Sequence, residues 1–541
     1  MGKVDELSVL VVEHQSNMQT QLRSMLALCG ITRVQSAMSA TTAVRKLKEG
    51  GFDIVLSENN LGAEQTGQHL LEDIRQHQLA PLTTLFIMIT SEGAQQRVVS
   101  TAELVPNDYI LKPFTTENLH RRLQRALSKR DAFTPMWQLI ENGKILEAIT
   151  ACEEGLQKYP QYELDFTRQR AELLVSIGQI AEAQALYSQV LRERPVPWAQ
   201  LGLAKTQFLT KNFEQAELQL KALLEANAFF LDSYDWLART QEAKGDPSAA
   251  REALAQATKV SPHVTRRLRR LGELELELGE CADAEKTLTD LVEQTRYSGF
   301  RDPEDYLRLV KAQLGAGATE RAETAIRDLD RSMRGPKAEL CKSLSQALLH
   351  AQKGNEHQAA EAAERAAGLF DDTLELTLTL KKDLTRACLT HKLEEQATDV
   401  VMNILRNTSD DAVAQDIQKM FGELGQRELG EVIATRQRTE VKNMMATGAE
   451  LAQKGDFSGA VEHMAEAAQR MPGNTLVLFN AALAQLKYIE HCGWNERHAT
   501  QARELIGRLR TLDPGNTKLG PLHTYFNNLS KQQPAKKRVA A

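Results

Sequence analysis

The sequence predicts a chain in two parts: an α/β domain on a five-stranded parallel sheet, then a long all-α solenoid. Three observations lead there. Over residues 7 to about 129, short runs of Val, Ile and Leu alternate with amphipathic helical stretches, and the runs lack the polar alternation of a one-sided sheet. From about Thr134 onward the strand signal stops and a helical pattern of recurring spacing replaces it. Of the 541 residues, 26% are charged, 5% are aromatic and only 15 are proline, a balance suited to long helices in contact with water. The boundaries read as an N-terminal domain over 1–130, a helical array over 134–530 with a candidate division near 410–440, and a disordered tail over 531–541.

In chain order, strands are expected at 8–12, 33–36, 52–57, 84–90 and 108–111, the second being the weakest. The helices that follow them begin near Met18, Ser39, Gly67, Gln95 and Thr116. Five strand-helix units in about 120 residues suit a flavodoxin-like sheet, whose ligands sit at the carboxyl ends of the strands. Polar residues fall at those ends. Glu13 and His14 follow Val9-Leu10-Val11-Val12, and Glu58 follows Phe52-Asp53-Ile54-Val55-Leu56-Ser57. Thr90 closes Ile87-Met88-Ile89, and Asp108-Tyr109-Ile110-Leu111-Lys112-Pro113-Phe114 comes last.

In order and spacing this segment resembles the receiver domains of bacterial response regulators, which implies a CheY-like switch in two-component signal transduction. In that family an acidic pair after the first strand helps hold Mg²⁺, and an aspartate after the third accepts a phosphoryl group. A Thr or Ser after the fourth and a Lys after the fifth bind its oxygens. The resemblance carries these roles onto Glu13, Thr90 and Lys112, with Tyr109 at the aromatic position three before the lysine. Taken singly, Thr90 would read as a strand-end hydrogen bonder, Tyr109 as a half-buried aromatic and Lys112 as a solvated lysine. Together at family spacing they read as a site.

Two positions depart from the family pattern. His14 stands where the second acid belongs, and imidazole is a poor ligand for Mg²⁺, so the metal set is reduced to Glu13, His14 and Asn60. Glu58 stands at the phosphoacceptor position, where its extra methylene displaces the carboxylate from in-line attack. Gly62 also replaces a proline. The expectation is a pseudo-receiver, not phosphorylated on an aspartate and holding no cofactor. Two roles stay open for Glu58: partial imitation of a phosphorylated aspartate, with one charge against nearly two, or simple pairing with Lys112.

The array spacing matches tetratricopeptide repeats, whose period is about 34 residues, with small residues where two helices cross. Gly143, Ala148, Cys152 and Pro160 mark one unit, and Gly178, Ala183, Tyr187 and Pro195 the next. Further units follow at Trp198-Gly202-Ala216, Leu237-Gly245-Ala250-Pro262 and Leu271-Gly272-Gly279-Ala284. The pattern thins over 300–440 and returns at Gly448, Gly455, Ala460 and Pro472, then at Ala502, Ile506 and Pro514. About eight to ten helical hairpins are expected. A less regular α-solenoid, or two arrays parted by Phe421-Gly422-Glu423-Leu424-Gly425, is the alternative.

Arg266, Arg267, Arg269 and Arg270 form a candidate partner-binding cluster for an acidic peptide, against the plainer reading of charges paired with neighbouring turns. The net charge of −6 gives no global attraction to nucleic acid. The six cysteines show no metal-ligand spacing and read as small buried apolar residues. No apolar run reaches the ~18 residues of a membrane span, and no secretory leader pattern opens the chain, which predicts a cytoplasmic protein.

No catalytic triad or phosphate-cradling loop is present in the sequence, so no enzyme is expected. The combination reads as a signalling adaptor or regulator whose array binds partner proteins. The resemblance implies a histidine kinase, a cyclic-di-GMP enzyme or another signalling protein as partner. The alternatives are a phosphorylation-responsive regulator and a structural protein that forms a homodimer through the fourth and fifth helices of its N-terminal domain.

Overall fold

Five parallel strands form one sheet in the order β2-β1-β3-β4-β5: β1 Ser8–Val12, β2 Arg33–Ala37, β3 Ile54–Glu58, β4 Leu85–Thr90 and β5 Asp108–Leu111. The computed structural model describes residues 4–62, 66–91, 106–262, 264–296 and 301–531. In β1, Val9 and Val11 enter one core with Leu26, Ile54 and Ile87, while Leu10 and Val12 enter the other with Val55, Leu70 and Met88. Val9, Leu10, Val11 and Val12 are all wholly buried. Successive side chains point to opposite faces and both faces are covered, which is why the strand shows no polar alternation.

Three helices of this domain are α1 Ser16–Leu28, α2 Ala40–Glu49 and α3 Gly67–Gln76. Ser39 and Thr66 start α2 and α3, their hydroxyls accepting the amides of Thr42 and His69. The helix expected near Gln95 lies outside the described residues, as do residues 532–541 of the expected tail. β3 begins two residues later than the sequence pattern suggested and runs through Glu58. Phe52 is buried in the core, but pairing with β1 starts only at Ile54, opposite Val9.

The helix expected at Thr116 runs to Glu141 without a break, 26 residues in all. It crosses the expected boundary at 130–134, so one rod serves both parts of the chain. Leu119 and Leu123 complete a face of the sheet core. Phe133, further along, stacks on Phe166 of the next helix pair at 4.0 Å between ring centroids.

The array continues as antiparallel helices joined by short turns: Ile145–Lys158, Glu163–Ser176, Ile180–Glu193, Pro197–Leu209, Phe213–Ala226, Leu231–Lys244, Pro247–Val260, Thr265–Glu277, Cys281–Thr295 and Pro303–Gly315. Small residues sit at the crossings as the spacing required. A Cβ on Gly272 would lie 2.6 Å from Leu288 Cδ2, and one on Gly448 would lie 2.7 Å from Met464 Sδ. Gly245 takes φ 81°, the left-handed turn that ends Leu231–Lys244.

Contacts group the chain into two compact units, 1–174 with 180–316, and 175–179 with 317–541. The first holds the sheet domain and the helices down to Gly315. Within the second, helices remain regular where the sequence pattern thins, as in Pro336–Gln352 with Glu356–Gly368 and Leu378–Thr390 with Glu394–Arg406. Ala359, Ala362, Ala363 and Ala366 supply the buried contact there, a low-contrast seam that pattern reading underweights. Near 410–440, Asp411–Glu423 and the 27-residue helix Arg427–Gln453 meet around Gly425 inside one unit, with Phe421 wholly buried.

Candidate functional site at the strand ends

Because all five strands run parallel, their carboxyl ends share one edge, and the chain delivers Glu13, Glu58, Thr90 and Lys112 there from four different strands. Glu13 follows β1, its amide donating to Ala37 O at 3.0 Å. Lys112 follows β5, its amide donating to Thr90 O at 2.9 Å. The pairing of Glu58 with Ile89 and of Thr90 with Leu111 sets the level of each group.

Lys112 Nζ lies between the two carboxylates. It donates to Glu13 Oε2 at 3.1 Å and to Glu58 Oε2. Glu58 Oε1 accepts the amides of Asn59 and Asn60 at 2.9 and 3.4 Å, while Glu13 Oε1 accepts that of Gln15 at 3.0 Å. Both acids are buried, Glu13 at 1% and Glu58 at 6% exposure, so each requires a counter-charge or donors nearby. Burial draws the Lys112 ammonium down, but hydrogen bonds and charge from Glu58 and then Glu13 overcome it and hold its pKa above the ordinary lysine value.

His14 Nδ1 lies 3.2 Å from Glu13 Oε1 at the rim of the site, with Gly62 opposite its ring. Asn60 turns its side-chain oxygen to the amide of Gly62 at 3.0 Å. Thr90 is buried at the end of β4, and Tyr109 is half-buried against the core that contains Met88 and Leu70. The seven expected N-terminal positions, Asn60 and Tyr109 included, thus gather toward one end of one sheet.

A magnesium ion needs hard oxygen ligands in octahedral array. Here one oxygen of each carboxylate takes the Lys112 ammonium, the other takes backbone amides, and the third expected ligand is an imidazole nitrogen. This donor set does not fit magnesium. Among the described residues no group of three His, Cys, Asp or Glu is placed to hold a metal.

The expected arginine cluster sits on Thr265–Glu277 and is internally paired. Arg266 donates to Asp235 Oδ2 at 2.9 Å, and Arg267, only 2% exposed, grips the same carboxylate with Nε and Nη2 at 2.9 and 3.1 Å. Arg269 makes two 2.7 Å bonds to Asp305, and Arg270 reaches Glu242 at 2.7 Å and Glu273 at 3.0 Å. Arg308 joins from the next helix, 2.8 Å from Glu273. The four arginines form a ladder of ion pairs across Leu231–Lys244, Thr265–Glu277 and Pro303–Gly315. Its acidic half was invisible in sequence because Asp235 and Asp305 lie 32 and 36 residues from their partners.

One contact was missed altogether. Glu72 of α3 is buried against the array, its carboxylate accepting from Thr265 Oγ1 at 2.9 Å. In sequence it is an ordinary charged residue of an amphipathic helix.

Residues 9–124 match the family model for the response regulator receiver domain, and residues 168–229 and 237–299 match that for the tetratricopeptide repeat. The chemotaxis protein CheY-3 of Vibrio cholerae is 32% identical over 124 residues, which cover 23% of this chain and 93% of the relative. The chemotaxis protein CheY of Pseudomonas aeruginosa is 28% identical over 124 residues, covering 23% of this chain and 98% of the relative. Among solved structures, CheY4 of Vibrio cholerae is 23% identical, covers 22% of this chain and 98% of its own, and gives a TM-score of 0.21. A tetratricopeptide repeat protein from Parabacteroides merdae is 14% identical, covers 48% and 98%, and gives 0.30.

Proposed function

Since the chain belongs to the response regulators through its N-terminal receiver domain, we propose that it is a signalling adaptor whose receiver acts without phosphorylation and whose tetratricopeptide array binds partner proteins. The observation that carries this reading is Lys112 held between Glu58 and Glu13. Phosphoryl transfer depends on positioning and on unspent positive charge for the transferred oxygens. Here that charge is already paired, and the longer Glu58 side chain spends one oxygen on the lysine and the other on two amides. The poor fit for magnesium points the same way. The pairing also favours the satisfied-charge role for Glu58 over imitation of a phosphorylated aspartate.

The array offers the partner surface, because stacked hairpins expose a long face made of successive helices. On architecture alone the partner class is another signalling protein, such as a histidine kinase or a cyclic-di-GMP enzyme. No helix among the described residues is long and apolar enough to cross a membrane.

The test is incubation of the full chain with acetyl phosphate and Mg²⁺, read by intact mass. The native protein is expected to gain nothing and Glu58→Asp very little. Glu58→Asp with His14→Asp should gain more, since the second change restores a hard oxygen ligand. A stoichiometric gain of one phosphoryl group by the native protein would overturn the reading.

A further inference from the structure

The start of α3 packs directly on the Glu58 end of β3. Gly67 donates its amide to Asn59 O at 2.7 Å, and a Cβ there would lie 2.5 Å from Glu58 O and 2.8 Å from Met88 Sδ. Only glycine allows the helix to start in contact with that backbone. Five residues on, about 7.5 Å along the axis, stands Glu72.

Across from it is the start of Thr265–Glu277, which lacks a cap of its own because Val264, at the N-cap, has no side-chain acceptor. The amides of Arg267 and Leu268 close onto Val264 O at 3.0 and 3.1 Å. The Glu72 carboxylate takes the Thr265 hydroxyl at 2.9 Å, and the amides of Thr265 and Arg266 face it closely enough to favour its charged form. A carboxylate at this end also meets the positive pole of the helix. Two of the first-turn amides thus close within the helix, and the receiver's carboxylate faces the other two.

We propose that Glu72 is the N-terminal cap of the repeat helix Thr265–Glu277, supplied in trans by the receiver, and that this joint carries changes at the Glu58 end of β3 into the array. The capped helix holds Arg267, Arg269 and Arg270, each bonded to an acid on a flanking helix. A shift of α3 therefore reaches the ladder spanning three helices. Burial pushes the Glu72 carboxyl above its usual range despite the donors, as expected of a cap withdrawn from water.

Hydrogen exchange by mass spectrometry on the full chain tests the proposal and needs neither phosphodonor nor partner, so its failure is separable from failure of the phosphorylation test. Glu72→Ala should speed exchange of the first-turn amides in a 264–270 peptide about fivefold, the effect of losing a cap. Glu72→Gln, which keeps an acceptor oxygen, should do less. Thr265→Val approaches from the array side and should loosen α3 with the receiver unaltered. Glu58→Gln should change exchange in 264–270 about twofold or more, and that effect should vanish in a Glu72→Ala background. Unchanged 264–270 exchange in Glu72→Ala overturns the cap. An equal Glu58→Gln effect in both backgrounds, or none in either, overturns the transmission.

Discussion

Replacing Lys112 by methionine should cost the receiver far more than replacing Glu58 by glutamine, although each change removes one partner of the same ion pair. In Lys112→Met two carboxylates, at 1% and 6% exposure, face each other with no cation between them. Breaking a buried pair this way costs about 3–5 kcal/mol. Glu58 keeps two amide donors and Glu13 keeps one, which places the loss near about 3 kcal/mol, the lower end of that range. In Glu58→Gln the lysine still holds Glu13 at 3.1 Å and the amide oxygen can still accept from Asn59, so the cost falls to about 1 kcal/mol. For a domain of this size the first loss corresponds to a melting shift on the order of 10 °C. The assay is hydrogen exchange over β1 and β3 of the full chain across a urea series, which reads the receiver apart from the array. A triple change, Glu13→Gln, Glu58→Gln and Lys112→Met, should recover most of the loss. Equal or reversed costs for the two single variants would refute the bridged-lysine account. The pair also sets a pH window. Lys112 has a folded pKa above its unfolded value of about 10.4, so its contribution is full below that value and is lost only as pH rises through the folded one. Stability of the receiver from this source should be flat between pH 6 and about 9.

Glu275, buried in the array, has its carboxyl pushed up to about 7 by burial, with a Thr287 hydrogen bond and Arg251 only partly offsetting it. A raised carboxyl pKa gives stability that is present below the unfolded value near 4.5 and lost as pH rises through about 7. Glu275→Gln should therefore stabilise the first unit by up to about 3 kcal/mol at pH 8 and by little at pH 4; an equal urea-midpoint shift at both would refute this. Gly272→Ala should destabilise the array by about 1–3 kcal/mol, since the added methyl meets wholly buried Leu288. Gly507→Ala, in an open helical position, should stabilise by up to about 1 kcal/mol, and chemical denaturation of both variants would reveal any failure of opposite sign.

The sequence by itself determined the local elements and the edge where chemistry gathers. Unbroken apolar runs such as Val9 to Val12 demanded a sheet covered on both faces, and one polar residue after each run placed Glu13, Glu58, Thr90 and Lys112 on the same edge once the strands were parallel. Array crossings at Gly272 and Gly448 were legible for a similar reason, because a steric requirement recurring at a fixed period survives variation elsewhere. Only the tertiary structure decided how charges were shared. Lys112 reaches both Glu13 and Glu58, 99 and 54 residues away, and which carboxylate oxygen meets an ammonium or an amide depends on side-chain placement that no spacing encodes. The arginines of Thr265–Glu277 read as a positive cluster because their acids lie one hairpin away in either direction. The Glu72 cap joins residues 193 positions apart, and its only trace in sequence was a helix beginning after a valine with nothing nearby to satisfy its first amides. Periodicity records what a residue needs from its neighbours in the chain, whereas a buried charge is satisfied by whatever partner folding brings beside it.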